Sequence, residues 1–288
     1  TLGEKMAQGN PLVNLGELSK PATVFIEKVS DAVGGICKPW QMKRVAKAEA
    51  EVEKIRALSG IELSGIEQRA MHRLVAEEAI KQENIENITA KAVKELKADA
   101  KPENLERDWV ANFFDKCRLV SDTEMQSLWS KLLAGEANEP GAFSKRTIEL
   151  VASLDKEDAY LFTTLMGFAC YINDDPVPVP FVYDFRKEIY NERGINFGIL
   201  NHLDSIGLVN FQDSNDLTVQ MDSRTFKTHY FGKETLVDLQ RKELKIGSIV
   251  LTKIGFELAP ICGASSVPDF LEYVLKEWQK LGYKVSRQ

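Results

Sequence analysis

The residues of this 288-residue chain with the richest chemistry are three histidines, four cysteines and a few acidic clusters. His72, His202 and His229 lie far apart, and none has a cysteine or second histidine at ligand spacing, so the sequence predicts no zinc site. Cys37, Cys117, Cys170 and Cys262 are scattered singly among apolar neighbours, the pattern of reduced, buried thiols in a cytosolic protein. Cys170 and His202, brought together by a fold, would form a thiol nucleophile and its base. A structural core cysteine and a helix-surface histidine account for the two residues more simply. Paired carboxylates at Asp155-Lys156-Glu157-Asp158 and at Asp174-Asp175 are of the kind that holds a hard cation or moves a proton. The plainer reading makes Asp155 a helix cap, with Glu157 and Asp158 favoured by the helix dipole in the first turn.

The sequence contains no G-x-x-x-x-G-K-[ST] phosphate loop, no G-x-G-x-x-G, no G-x-S-x-G elbow and no H-E-x-x-H helix. No catalytic residue, cofactor site or metal site is therefore expected, and the chain reads as non-enzymatic. A net charge of -6 argues against broad attraction to nucleic acid, which needs a positive surface to displace counterions. A local exception is a run of basic residues that includes Arg224, Lys227, Lys233 and Lys242. Glu234, Asp238 and Glu243 interrupt it, so nucleic acid ranks below a protein partner here.

The elements that would position these residues are mostly helical. After a Gly-, Asn- and Pro-rich arm over residues 1–20, Ser19-Lys20-Pro21 starts a helix. Its broad apolar face carries Val24, Phe25, Ile26, Val29 and Val33 and leads to Trp40 and a basic cluster at Lys43, Arg44 and Lys47. Such a segment fits either a packed core helix, the preferred reading, or peripheral membrane contact. A long charged stretch follows, with sparse apolar residues at Val45, Ala48, Val52 and Ile55, then at Ile66, Leu74, Ile85 and Ile88. The first four form a short heptad seam. Gly60 and Gly65 are expected to break the stretch into two helices. Helices so poor in large apolar residues are marginal alone, so another surface must cover them, and the length of the stretch favours another copy of the chain.

A compact helical region begins near Pro102, with Trp109, Phe113 and Phe114 on one helix and Leu128, Trp129, Leu132 and Leu133 on the next. Ser121 and Glu124 read as the capping box of that second helix, and Gly135 as its end. Beyond the proline-rich run from Asp174 to Pro180, Phe181–Arg193 and Phe197–Ile206 read as helices, and residues 208–211, 217–221 and 249–252 as strands. Helix, helix, then paired strands is a winged-helix-like order. The expected fold is thus mainly α, in four parts: an arm (1–20), an extended helical, oligomerising region (21–100), a helical domain (101–173) and a winged-helix-like α+β module (181–288). Residues 2–13 are too polar for a signal core and no run reaches the roughly 18 apolar residues of a membrane span, so a cytoplasmic location is expected.

The tracts Leu15 to Thr23, Ile36-Cys37-Lys38-Pro39-Trp40 and Glu124 to Glu136 resemble an uncharacterised bacterial domain family of unknown function, over nearly the whole chain. More distantly, residues 120–262 are similar to the abortive-infection alpha family. The similarity rests on the order of Leu128-Trp129 to Ala134, Val151 to Ala159, His202 to Val209 and Leu251 to Phe256. The interval from Gly207 to Leu251 is long for that layout. This second resemblance implies a role in phage exclusion. The expectation is a self-assembling, non-enzymatic defence protein, with a nucleic-acid-binding regulator and a membrane-permeabilising effector as rivals.

Overall fold

The computed structural model describes residues 19–34, 65–214 and 217–287, which form part of two compact units, 1–152 and 153–288. The protein is mixed α+β; among the described residues the first unit is helical and the strands lie in the second. The boundary between the units falls just ahead of Asp155.

In the first unit, α1 (Lys20–Ala32) starts where Ser19 caps it, the Oγ accepting from Ala22 N at 3.4 Å, with proline in the first turn. Ala22, Phe25, Ile26 and Val29 are buried where α1 meets the turn at Pro102–Asn104 and α3 (Arg107–Cys117). α3 contributes Trp109, Val110, Phe113, Phe114 and Cys117 to the same core. Phe113 meets the fully buried Trp129 edge-on, at 5.1 Å between ring centroids. Between α1 and α3 in the chain lies α2 (Gly65–Lys94), a 30-residue helix described below.

α4 (Thr123–Asn138) departs from expectation at both ends. Asp122, not Ser121, is the cap, its Oδ1 accepting from Glu124 N and Met125 N. The helix also runs through Gly135 to Asn138. Gly135 is there for space: a β-carbon would stand 2.6 Å from Cε2 of Phe143. The next residue, Glu136, is buried, and its carboxylate accepts from Gly141 N (2.7 Å) and Phe143 N (2.9 Å). These two bonds fold the Pro140-Gly141 turn back, so that Phe143 O can accept from the buried Trp109 indole at 2.7 Å. α5 (Lys145–Ser153) then buries Thr147, Ile148 and Val151.

The second unit opens with α6 (Lys156–Met166), where Asp155 N donates to Asp158 Oδ2 at 2.9 Å in the expected capping arrangement. A five-stranded antiparallel sheet follows, in the order β2 (Val179–Pro180), β1 (Ala169–Ile172), β5 (Thr225–Tyr230), β6 (Lys233–Asp238), β9 (Lys284–Arg287). β5 and β6 join through Phe231-Gly232, both at positive φ, which is the twist that suits a tight hairpin. The amphipathic helix α10 (Phe270–Lys280) buries Phe270, Val274 and Trp278, and the Trp278 indole donates to Tyr183 Oη at 2.6 Å.

Residues 181–193 are not one helix. Only α7 (Glu188–Asn191) is helical, while Phe181 and Val182 are extended: Phe181 N donates to Phe168 O, and Val182 N to Ile246 O. A short, fully buried apolar run reads equally as helix or strand, and here long-range pairing decides. α8 (Phe197–Ser205) is capped by Asn196 and leads to β3 (Val209–Phe211). The strands at 209–211 and 217–220 exist as expected but do not pair with each other. β3 pairs with β8 (Ile249–Leu251), and β4 (Leu217–Gln220) with β7 (Glu243–Gly247). At the end of β7, Gly247 has φ +107, and Val182 O lies 1.9 Å from where its β-carbon would be, so only glycine fits. α9 (Lys253–Leu258) follows β8, capped by Thr252.

Candidate functional site

The helix α2 has no glycine or proline after its first residue and is rich in Ala, Glu, Gln and Lys, all strong helix formers. Its 30 residues extend about 45 Å. The two halves differ in what surrounds them. In the C-terminal half Ile88, Thr89, Ala90 and Ala92 are buried, chiefly where α2 packs on α4. Asn84, also buried, donates to Arg118 O at 2.9 Å and accepts from Gln126 Nε2 at 3.1 Å. That same amide donates to Val120 O at 3.0 Å, and Lys91 Nζ reaches Gln126 Oε1 (3.3 Å) and Thr123 O (3.1 Å). Loss of water around Lys91 pulls its ammonium below the usual lysine range, with Asp122 acting in the opposite sense. Asn138 completes the attachment: its side chain accepts from Lys97 N and donates to Glu95 O.

The N-terminal half is open. Ile66 is 72% exposed, Leu74 52% and Ile80 55%. Ile66 and Ile80 are two heptads apart, as are Leu74 and Ile88, so the three exposed residues continue the stripe that the C-terminal half covers at Ile88. Met71, Val75 and Ala79 occupy a different strip and are half-buried. Two ion pairs run along this half, Arg73–Glu77 at 3.5 Å, which lies between the exposed aliphatic residues, and Lys81–Glu78 at 2.6 Å.

The other sequence-predicted residues are placed as follows. Val45, Ala48, Val52, Ile55, Cys37 and Trp40 lie outside the described residues. Ile85 is half-buried and Ile88 fully covered. Phe25, Ile26 and Val29 sit in the core of the first unit, with Val24 and Val33 half-buried at its edge. Arg224, Lys227, Lys233 and Lys242 are exposed on or beside the β4–β7 segment. Lys227 pairs with Glu234 at 2.6 Å, which raises the lysine and lowers the carboxyl from their ordinary ranges, and Lys242 Nζ donates to Asp222 O. Cys170 and His202 do not act on each other. Burial pushes the Cys170 thiol up to about 12, so it stays protonated, and His202 Nε2 instead meets Asp158 Oδ1 at 2.6 Å.

Sequence reasoning missed Ile80, although the two-heptad step from Ile66 was there to find it. It also missed the Asn84–Gln126–Lys91 network and the Asp158–His202 contact, whose partners are 35 to 44 residues apart in the chain. Among the described residues there is no cluster of His, Cys, Asp and Glu that could hold a metal ion, and no helix long and apolar enough to cross a membrane.

Residues 68–275, from the first turn of α2 to the middle of α10, match the profile of DUF2806, described as proteins of unknown function. The chain belongs to the DUF2806 family. No curated protein and no solved structure shows a significant match. The DUF2806 region takes in Leu74, Ile80 and the whole attached half of α2, and leaves α1 and Ile66 outside.

Proposed function

We propose that this chain is a non-enzymatic, self-assembling protein whose assembly contact is the N-terminal half of α2. The observation that carries this reading is the exposure of Ile66, Leu74 and Ile80 on the stripe that the same helix buries further along. Covering a large aliphatic side chain contributes about 1.5–3 kcal/mol, and these three retain half or more of that to be gained. Ala70, also exposed, lies between Ile66 and Leu74 on the same side of the helix. Light scattering on the full chain tests the reading. Assembly at tens of micromolar, lost in the combined Ile66→Ser, Leu74→Ser, Ile80→Ser variant with its circular dichroism unchanged, is the expected result. A strictly monomeric wild-type protein overturns it.

An antiphage role for the assembly draws on the resemblance to the abortive-infection alpha family. Phage challenge of cells with and without the gene tests it, and plaque counts that do not differ across diverse phages count against it.

We read α7, α8, β3 and β8 as a winged-helix-like layout. Residues 212–248 stand between β3 and β8 where a wing would be, enlarged into β4 to β7. Support comes from the β3–β8 pairing directly after α8 and from the bond of Thr252 Oγ1 to Gly207 O, which ties the returning strand to the end of that helix. This enlargement accounts for the long interval between Gly207 and Leu251. Nucleic-acid binding through the layout has less in its favour than protein contact. α8 carries no Lys or Arg, and Lys227 is neutralised by Glu234. Membrane insertion through α1 would require lifting Phe25, Ile26 and Val29 out of a core in which they are buried.

A further inference from the structure

We propose that the groove occupied by α1 is a binding site for an amphipathic helix, with α1 as its resident ligand, so that a free helix carrying the same anchors can take its place. This does not depend on the self-assembly reading.

The anchors are Ala22, Phe25, Ile26 and Val29, none of them more than 4% exposed. They stand at i, i+3, i+4 and i+7, the spacing at which one face of a helix fills an apolar groove. The groove is built by other elements of the first unit: the turn at Pro102–Asn104, α3 and α2. Away from the anchors α1 is polar and exposed, at Lys20, Thr23, Glu27 and Asp31.

Three features set α1 apart from the helices that hold it. The first is the kind of contact. Its hydrogen bonds, from Ala22 N and Thr23 to Ser19 and from Val33 N to Val29 O, stay within the helix and its caps. Among the described residues no hydrogen bond or ion pair joins it to another element. α2, by contrast, is tied to its neighbours through Asn84 and Lys91, and α3 through the Trp109 indole. Buried polar bonds penalise any partner that leaves them unmade, so a groove without them selects by shape and apolarity alone. The second is chain order. No short turn joins α1 to its groove: residues 35–64 intervene before α2, and the turn and α3 come later still. The third is the extent of the DUF2806 match, residues 68–275, which takes in the turn, α3 and all but the first residues of α2, and leaves α1 outside.

Peptide uptake by the full chain tests the site. In the Phe25→Asp, Val29→Asp variant α1 can no longer seat. A fluorescent peptide of residues 19–34 should bind this variant at roughly tenfold lower concentration than wild-type protein, because a tethered α1 competes at an effective concentration on the order of millimolar. The same peptide with both Asp substitutions should bind neither protein. A folded variant that takes up no peptide, that binds it no better than wild type does, or that binds both peptides alike overturns the proposal. If circular dichroism shows the variant unfolded, hydrogen exchange on wild-type protein decides. With unlabelled peptide in excess, the amides of residues 24–33 should exchange about tenfold faster while those of α3 keep their protection. Exchange in α1 that stays equal to that in α3, with the peptide and without it, overturns the proposal.

Discussion

One helix, two fates: the halves of α2 carry apolar residues at the same spacing, yet among the described residues only the C-terminal half has them fully buried. From Asn84 onward the stripe meets α4, and a polar network through Gln126 and Lys91 sets the register. From Ile66 to Ile80, among the described residues, Ile66, Leu74 and Ile80 stay more than half exposed. The difference shows that a sparse stripe suffices for docking only where buried hydrogen bonds supply the precision that a few aliphatic contacts cannot. Asn84 and Gln126 satisfy one another and three backbone or lysine partners between them, so their burial costs little. In the open half, Arg73–Glu77 and Lys81–Glu78 are surface ion pairs of small worth.

The contrast breaks most sharply at Ile88. Truncation to Ala removes a fully buried side chain and should cost about 2–4 kcal/mol, read as a lower denaturant midpoint. Next, Asn84→Ala leaves Arg118 O without its Asn84 donor and the Gln126 amide with one acceptor, Val120 O, in place of two, and should cost about 1–2 kcal/mol in the same experiment. Asn84→Leu should not rescue it, since Gln126 would still be buried against a group that cannot accept. Smaller again, Leu74→Ser should change the stability of dilute protein by no more than about 0.5 kcal/mol while weakening assembly at high concentration. Equal losses of stability from Leu74→Ser and Ile88→Ala would erase the distinction between the halves. The finest test is hydrogen exchange: amides of residues 85–94 should be protected at any concentration, whereas those of residues 68–80 should gain protection only as concentration rises.

Where structure followed local signals, the sequence was legible. Ser19 and Pro21 start α1, and the acids at 155–158 cap α6. Misreadings arose where a residue answers to a distant neighbour. Gly135 looks like a helix end until Phe143, eight residues on, is seen to occupy the space above it. Phe181 and Val182 look helical until Phe168 and Ile246 take their hydrogen bonds. The basic run from Arg224 to Lys245 reads as a wing or hairpin without strand limits, which Phe231-Gly232 between two alternating runs sets at β5 and β6. Of the candidate site, Ile66 and Leu74 were named from spacing alone. That Ile88, on the same spacing, belongs to the core was not foreseeable from periodicity.

By itself the sequence determined which faces of the helices are apolar and where several of them begin. These are properties of residue type and of the 3.6-residue repeat, and they need no partner to be expressed. The tertiary structure alone decided which apolar faces are spent inside the chain and which remain open, and which distant strands pair. That choice depends on the residues that arrive from elsewhere to satisfy a face, and no local pattern encodes them. Ile66 and Ile88 are alike in type and in their place on one stripe, and differ only in whether α4 lies over them.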